Sequence, residues 1–334
     1  MKLLIVTQTI DINDPVLGFF CRWVEEFAKH CEKVTVICLH EGIHSLPNNV
    51  RVTALGKTRV GRVFDFLHLC ISRRSEYDTV FVHMNQEYVL IAGWLWKLLG
   101  KRTYLWRNHY AGSWLTDVAA VFCTKVFCTS KHSYTVKYKK TVLMPVGVDT
   151  ERFTPGARHV RKPHSILFLA RMASSKRPEL FLDALAMLAR AGTRFTATFV
   201  GSPAPGDESY YAGLKAHTAT LGFEDAVIFL PAVTNADAVN LYRTHEIFVN
   251  ASPSGMLDKT IFEAAASGCI VLAASTDFAD AAGEDSQFNS AAELAARLVA
   301  ALAGKDHRPP VLLVEENSLR ALTEKLIGAM ITQR

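Results

Sequence analysis

The sequence predicts an α/β protein built from two doubly wound, Rossmann-like domains that face each other across a cleft. Three observations predict it. Short runs rich in Val, Ile, Phe and Thr alternate with amphipathic stretches. The alternation halts at a Pro/Gly-containing stretch and then restarts. A chain of 334 residues also exceeds what one core ordinarily organises.

In the first half the strand runs are LLIVT, KVTVICL, NVRVTAL, TVFVHM, RTYLWR, KVFCTS and TVLMPV. Such runs, separated by amphipathic helical stretches, imply a mostly parallel sheet. FFCRWVEEFAKH and RVFDFLHLCISRR carry apolar residues at three- and four-residue spacing and read as helices. The second half supplies SILFLA, FTATFVG, AVIFLPA, EIFVNAS and CIVLAAS as strands. Its helices are RPELFLDALAMLARAG, YYAGLKAHTATLG, NADAVNLYRT, LDKTIFEAAASG and AAELAARLVAALAG. Between the halves Pro145–Pro163 has no periodicity. The expected division is therefore a first domain over 1–147, a linker over 148–163, a second domain over 164–317, and a final helix within 318–334 returning to the first domain.

Composition narrows the function classes. With 49% hydrophobic and 21% charged residues the chain is globular, neither disordered nor coiled-coil. The apolar stretch YVLIAGWLWKLLG is shorter than the roughly 20 residues of a membrane span. The apolar run at the start is too short for a signal peptide, and a cytoplasmic protein is expected. Seven cysteines without a C-x-x-C pair argue against a disulfide framework or a zinc site. Residues 1–150 hold 19 Lys and Arg against 12 Asp and Glu, including Arg59, Arg62, Lys137, Lys139 and Lys140. Such a basic half either suits an anionic partner, a membrane surface before nucleic acid, or is a plain solvated basic face. Nucleic acid is disfavoured, because no basic–aromatic recognition motif accompanies the charge.

Four segments carry the chemistry. In LARMASSKRPEL a strand ends at Ala170, and Arg171 and Lys176 occupy the loop before a helix opened by Pro178. Two cations at a strand's carboxyl end, beside a helix N-terminus, can hold a diphosphate; solvated loop cations are the plainer alternative. In NASPSGMLDKTIFEAAASG a loop enters a helix whose first turns hold Asp258, Lys259, Thr260 and Glu263. Its amides can meet phosphate or sugar hydroxyls, and the Glu263 carboxylate can accept from both hydroxyls of a ribose. Alternatively Thr260 and Glu263 form a capping box. His109 in WRNHY and His83 in VFVHMN end strands and either line the cleft or are hydrogen-bonded structural residues; Asn85 joins them on the acceptor side. Gly18 either brings amides near a ligand or is a plain turn glycine.

No G-x-G-x-x-G, P-loop or G-x-S-x-G pattern occurs, which removes nicotinamide, P-loop and common hydrolase readings. No D-x-D occurs either, so no carboxylate pair is expected to hold a metal on a diphosphate.

Together these segments resemble the family 4 glycosyltransferases of the GT-B fold over nearly the whole chain. MPVGVDTERFTP is similar to the family's Pro-Asn-Gly-Val-Asp segment, with Val146 in place of Asn. LARMASSK is similar to Gly-Arg-x4-Lys, with Ala170 in place of Gly, and FEAAASG to Glu-Ala-x-Ala-x-Gly. FVGS, VIFLPAV and EIFVNASPSG follow in the family's order. The resemblance implies a retaining, metal-independent, hexosyltransferase-like enzyme without a cofactor, using a UDP- or GDP-type sugar and a glycan or lipid-linked acceptor. It implies that Arg171 and Lys176 hold the diphosphate and stabilise the leaving nucleotide, that Glu263 binds ribose, and that His109 touches the donor sugar. Gly18, Gly201 and the loop around Val233 would complete the donor site. Gly255 stands where the family has the first of two glutamates, leaving Asp258 or backbone amides to contact the sugar. Two alternatives remain: a non-catalytic nucleotide-sugar binder, and another GT-B enzyme such as an epimerase.

Overall fold

The computed structural model describes all residues except 157–160, 256, 305–307, 310 and 332–334, and the Arg59 side chain also lies outside the described residues. The chain forms two compact units, Met1–Gly147 with Leu319–Arg334, and Val148–Ser318.

The first unit contains β1 (Lys2–Val6), β2 (Thr9–Ile10), β3 (Lys33–Cys38), β4 (His40–Glu41), β5 (Val50–Ala54), β6 (Thr79–His83), β7 (Arg102–Trp106), β8 (Lys125–Cys128) and β9 (Thr141–Leu143). Its helices are α1 (Phe20–His30), α2 (Arg59–Ser72), α3 (Gln86–Leu98), α4 (Trp114–Phe122) and α12 (Leu319–Ile331). Seven strands make one sheet in the order β5-β3-β1-β6-β7-β8-β9, every pair parallel, while β2 and β4 pair separately. Parallel strands need helical crossovers, and these fill both faces. On one face Phe20, Trp23, Val24 and Phe27 of α1 pack with Leu322, Leu326 and Met330 of α12. On the other, Phe66 and Cys70 of α2, Val89, Ala92 and Trp96 of α3, and Ala119 and Ala120 of α4 join one core.

The return of the chain to this unit has a local cause. Gly147 has φ +79°, and a Cβ there would sit 2.2 Å from Leu322 Cδ2. Trp23 Nε1 donates to the Gly147 carbonyl at 3.1 Å. Only glycine lets the strand exit pass this close beneath α12.

The second unit contains β10 (Ser165–Leu169), β11 (Thr196–Val200), β12 (Val227–Leu230), β13 (Ile247–Asn250) and β14 (Ile270–Ala273), in the parallel order β12-β11-β10-β13-β14. Its helices are α5 (Pro178–Arg190), α6 (Glu208–Thr220), α7 (Asn235–Thr244), α8 (Lys259–Ala266), α9 (Thr276–Ala282), α10 (Ala291–Leu302) and α11 (Val311–Glu316). The strand order reverses between β10 and β13, the point beyond whose carboxyl ends ligands bind in such sheets.

The stretch read as a linker packs within this unit. Phe153 is buried against Tyr242, and Arg161 donates to the carbonyls of Tyr242, His245 and Ser267. Both residues find partners that free solvent lacks, an apolar ring and uncapped helix-end carbonyls. Residues 157–160 of that stretch lie outside the described residues.

Candidate functional site

The carboxyl ends of β10 and β13 bring the charged residues of the second unit together. After β10 the chain makes a short 3-10 turn, Ser174–Lys176, and Arg177 takes the left-handed conformation at φ 48° before Pro178 opens α5. This sharp reversal is fastened by Arg177 Nε, which donates to the Ala251 carbonyl beyond β13 at 2.6 Å. Burial pushes the Arg177 pKa down.

Lys176 then lies across the switch point. Its ammonium donates to both oxygens of Asp258, at 2.7 and 2.8 Å, and to Ser252 Oγ at 3.2 Å. Asp258 also accepts from Ser252 Oγ at 2.5 Å and Asn250 Nδ2 at 3.1 Å. Burial alone would raise the Asp258 pKa, but the Lys176 charge and these hydrogen bonds outweigh it and hold it below the usual value. The consequence is chemical: Asp258, expected to meet a sugar hydroxyl, is engaged by Lys176. Arg171 lies exposed on the same loop, and its guanidinium has no protein partner among the described residues. An incoming anion therefore meets one uncommitted cation and one already oriented by a carboxylate.

Glu263 is 4% exposed. Its oxygens accept from Asn235 Nδ2 at 3.1 Å and Tyr242 Oη at 3.3 Å. The capping-box alternative is not what the structure shows, because α8 begins at Lys259 and its N-cap is Asp258, one turn earlier than Glu263. Thr260 Oγ1 instead accepts from Asn250 Nδ2 at 3.4 Å. Burial raises the Glu263 pKa and lowers that of Lys259, each opposed by the charge of the other. A carboxylate oxygen carries two lone pairs, so each retains acceptor capacity beyond its present bond.

Two glycines shape the loops. A Cβ on Gly201 would lie 1.9 Å from the Ala170 carbonyl oxygen, so the β11 exit can pass the β10 loop only without a side chain. Gly255 has φ +89°, and its amide donates to Asp277 at 3.4 Å. The glutamate missing at this position is thus a change of backbone as well as of side chain, since a left-handed conformation is strained for any residue with a Cβ. Val233 follows β12 in a half-buried loop anchored by the Ala232 amide on Ser202 Oγ, 3.0 Å.

The first unit presents a different set. His109 is half-buried in an open hollow with Arg107, Ala111 and Gly112. The Ala111 amide donates to His109 Nδ1 at 2.9 Å, and the Ala111 carbonyl lies 3.3 Å from the same nitrogen, so the ring is held by both polar groups of one residue. Arg107, which sequence reasoning did not single out, lines this hollow; its Nη2 donates to the Ala111 carbonyl at 3.1 Å, and its buried Nε has no hydrogen-bond partner among the described residues. Burial lowers its pKa. The signal was its place two residues before His109, at the end of β7.

Three of the expected site residues are engaged in structural contacts here. His83 is 3% exposed, stacked on Phe20 at 4.1 Å, edged by Phe19 and Trp23, with Thr7 Oγ1 at 3.3 Å from its Nδ1. It is a core histidine, because the last residue of β6 turns its side chain inward against α1. Asn85 is occupied as the acceptor of Gln8 Nε2 at 2.8 Å. Gly18 uses its own amide on Asp14 O at 2.9 Å, and a Cβ would approach that oxygen to 2.6 Å, which is the geometry of a tight turn.

Among the described residues no group of three or more His, Cys, Asp or Glu is placed to hold a metal ion, and no helix is long and apolar enough to cross a membrane.

Comparison with known proteins supports the architecture. Residues 163–304 match the family profile described as Glycosyl transferases group 1. The D-inositol 3-phosphate glycosyltransferase of Geodermatophilus obscurus is 32% identical over 148 residues, 41% of this chain and 33% of that protein. The chain thus spans about a third of the length of the curated relatives it matches. Among solved structures, Anabaena HepE in complex with UDP-glucose superposes at TM-score 0.76 with 16% identity, covering 100% of this chain and 98% of that one. A Burkholderia xenovorans trehalose-phosphate synthase with glucose-6-phosphate superposes at 0.77 with 10% identity, covering 98% and 100%. The fold is GT-B.

Proposed function

We propose that this protein is a retaining, metal-independent glycosyltransferase, a reading supported by the match of residues 163–304 to the profile described as Glycosyl transferases group 1. It moves a sugar from a UDP- or GDP-type donor to a hydroxyl of a glycan or lipid-linked acceptor. The acceptor oxygen bonds to the anomeric carbon, the bond from that carbon to the diphosphate breaks on the same face, and the acceptor proton passes to a diphosphate oxygen. Arg171 and Lys176 stabilise the charge developing on the departing nucleotide. Glu263 accepts from the ribose, and the His109 ring touches the donor sugar. Arg107 takes the acceptor side in place of His83.

One observation carries the reading: Lys176 is anchored by Asp258 and Ser252 at the β10/β13 switch point, with Arg171 exposed on the same loop. Anabaena HepE, which shares the fold and is found in complex with UDP-glucose, supports a nucleotide-sugar donor. The enzyme works in the cytoplasm, at the inner face of an anionic membrane. The reading is tested by thermal shift with UDP and GDP, followed by hydrolysis of the corresponding sugar donors. Stabilisation by one nucleotide with release of its sugar is expected; the absence of both would overturn the reading. Gly255 favours a second reading, a nucleotide-sugar binder without turnover, which predicts stabilisation alone.

A further inference from the structure

We propose that the outer face of α2, α3 and α4 is a docking surface that inserts apolar side chains into an anionic phospholipid bilayer. The inference deepens the reading above by naming where the protein meets the membrane that holds a lipid-linked acceptor.

These three helices bury their inner sides in one core against the same face of the first unit's sheet. Their opposite sides therefore look outward together. On a water-facing helix that side is charged. Here α2 shows Val60 and Phe64 (both 69% exposed), α3 shows Trp94 (47%) and Leu98 (77%), and α4 shows Trp114 (70%) and Val121 (65%). Each pair is four or seven residues apart, so each lies on one stripe of its helix. α3 has only Glu87 and Lys97 as charges among 13 residues, and α4 only Asp117 among nine. Such contiguous exposed apolar surface marks an interaction site.

Charge selects the occupant. Residues 57–74 hold Lys57, Arg59, Arg62, Arg73 and Arg74 against Asp65 alone, and Lys97 ends α3 beside Leu98. Of these, Lys57, Arg74 and Lys97 are exposed, and exposed cations at the ends of the helices of an apolar face that carries tryptophan match an anionic bilayer interface. Trp94 already has its Nε1 bonded to the Ile91 carbonyl at 2.8 Å, leaving the ring free to enter lipid. A second copy of this chain would instead set the same cations against each other across a two-fold axis.

The test is flotation with vesicles of phosphatidylglycerol and phosphatidylcholine, against phosphatidylcholine alone, with tryptophan emission recorded. Trp23, Trp96 and Trp106 are buried, so an emission change reports Trp94 and Trp114. Wild type is expected to float with the anionic vesicles, shift its emission to the blue and be quenched by brominated lipid. The variant Phe64→Ser/Leu98→Ser/Trp114→Ser is expected to lose at least tenfold in floated fraction while keeping the wild-type thermal midpoint. Flotation of the variant equal to wild type, unchanged emission, or a dimer in solution that the triple variant dissolves would overturn the proposal. Nucleotide binding without vesicles separates the two readings, since it tests the second unit alone.

Discussion

The two units solve the same topological problem with opposite chemistry. In the second, the switch point between β10 and β13 is crossed by ionic contacts: Lys176 to Asp258, and Arg177 to the Ala251 carbonyl. In the first, the equivalent reversal between β1 and β6 is crossed by neutral ones: Thr7 to His83 and Gln8 to Asn85, under the rings of Phe19, Phe20 and Trp23. A cation held in place by a carboxylate meets a phosphate without first being ordered, which lowers the cost of binding charge. A neutral, ring-packed strand end gives rigidity but no field. Under the proposed function, the difference teaches that the same scaffold assigns anion handling to one unit and leaves shape to the other, with His109 and Arg107 as the first unit's polar exception.

The comparison breaks most visibly at Lys176. Lys176→Ala is expected to lower kcat by about 1,000-fold, the scale of removing one donor to developing charge, measured by donor turnover. Wild-type turnover would remove the ionic half of the contrast. Next in size is Gly201→Ala, which sets a methyl group against the Ala170 carbonyl. We expect a loss of about 3 kcal/mol in chemical denaturation, in the upper range for strained or overpacked substitutions; a loss within error would mean the β10 and β11 loops yield easily. His83→Phe keeps the ring packing and gives up the contact to Thr7, a change of about 1 kcal/mol in stability. Turnover within threefold of wild type is expected, and a collapse of activity would return His83 to the site. The smallest effect concerns acid stability. Asp258 has a lowered pKa in the folded state, so its contribution is complete above about pH 4 and is lost as pH falls through the lowered value. Asp258→Asn should flatten the acid limb of the stability curve below that pH; an unaltered limb would show that Lys176 does not hold the carboxylate ionised.

Much of this contrast is legible in the sequence, and the remainder fails for physical reasons. Runs rich in Val, Ile, Phe and Thr disclose every strand of both large sheets, most plainly the central ones, which are covered on both faces. The Arg171–Lys176 loop is legible because a strand, a proline-opened helix and two cations coincide. The pairing of Lys176 with Asp258 spans 82 residues, and no local pattern encodes it. His83 is misjudged because a strand end does not say which face its last side chain takes. α4 went unrecognised because apolar residues on both its sides blur the helical period. That same blurring is the trace of its exposed Trp114 and Val121.

The central claim, that Arg171 and Lys176 hold a diphosphate, is tested most directly by calorimetric titration of UDP and GDP into wild type, Arg171→Ala and Lys176→Ala. The account predicts that one nucleotide binds wild type and that each variant weakens it at least tenfold, about 1.4 kcal/mol. Equal affinity in all three proteins would contradict it.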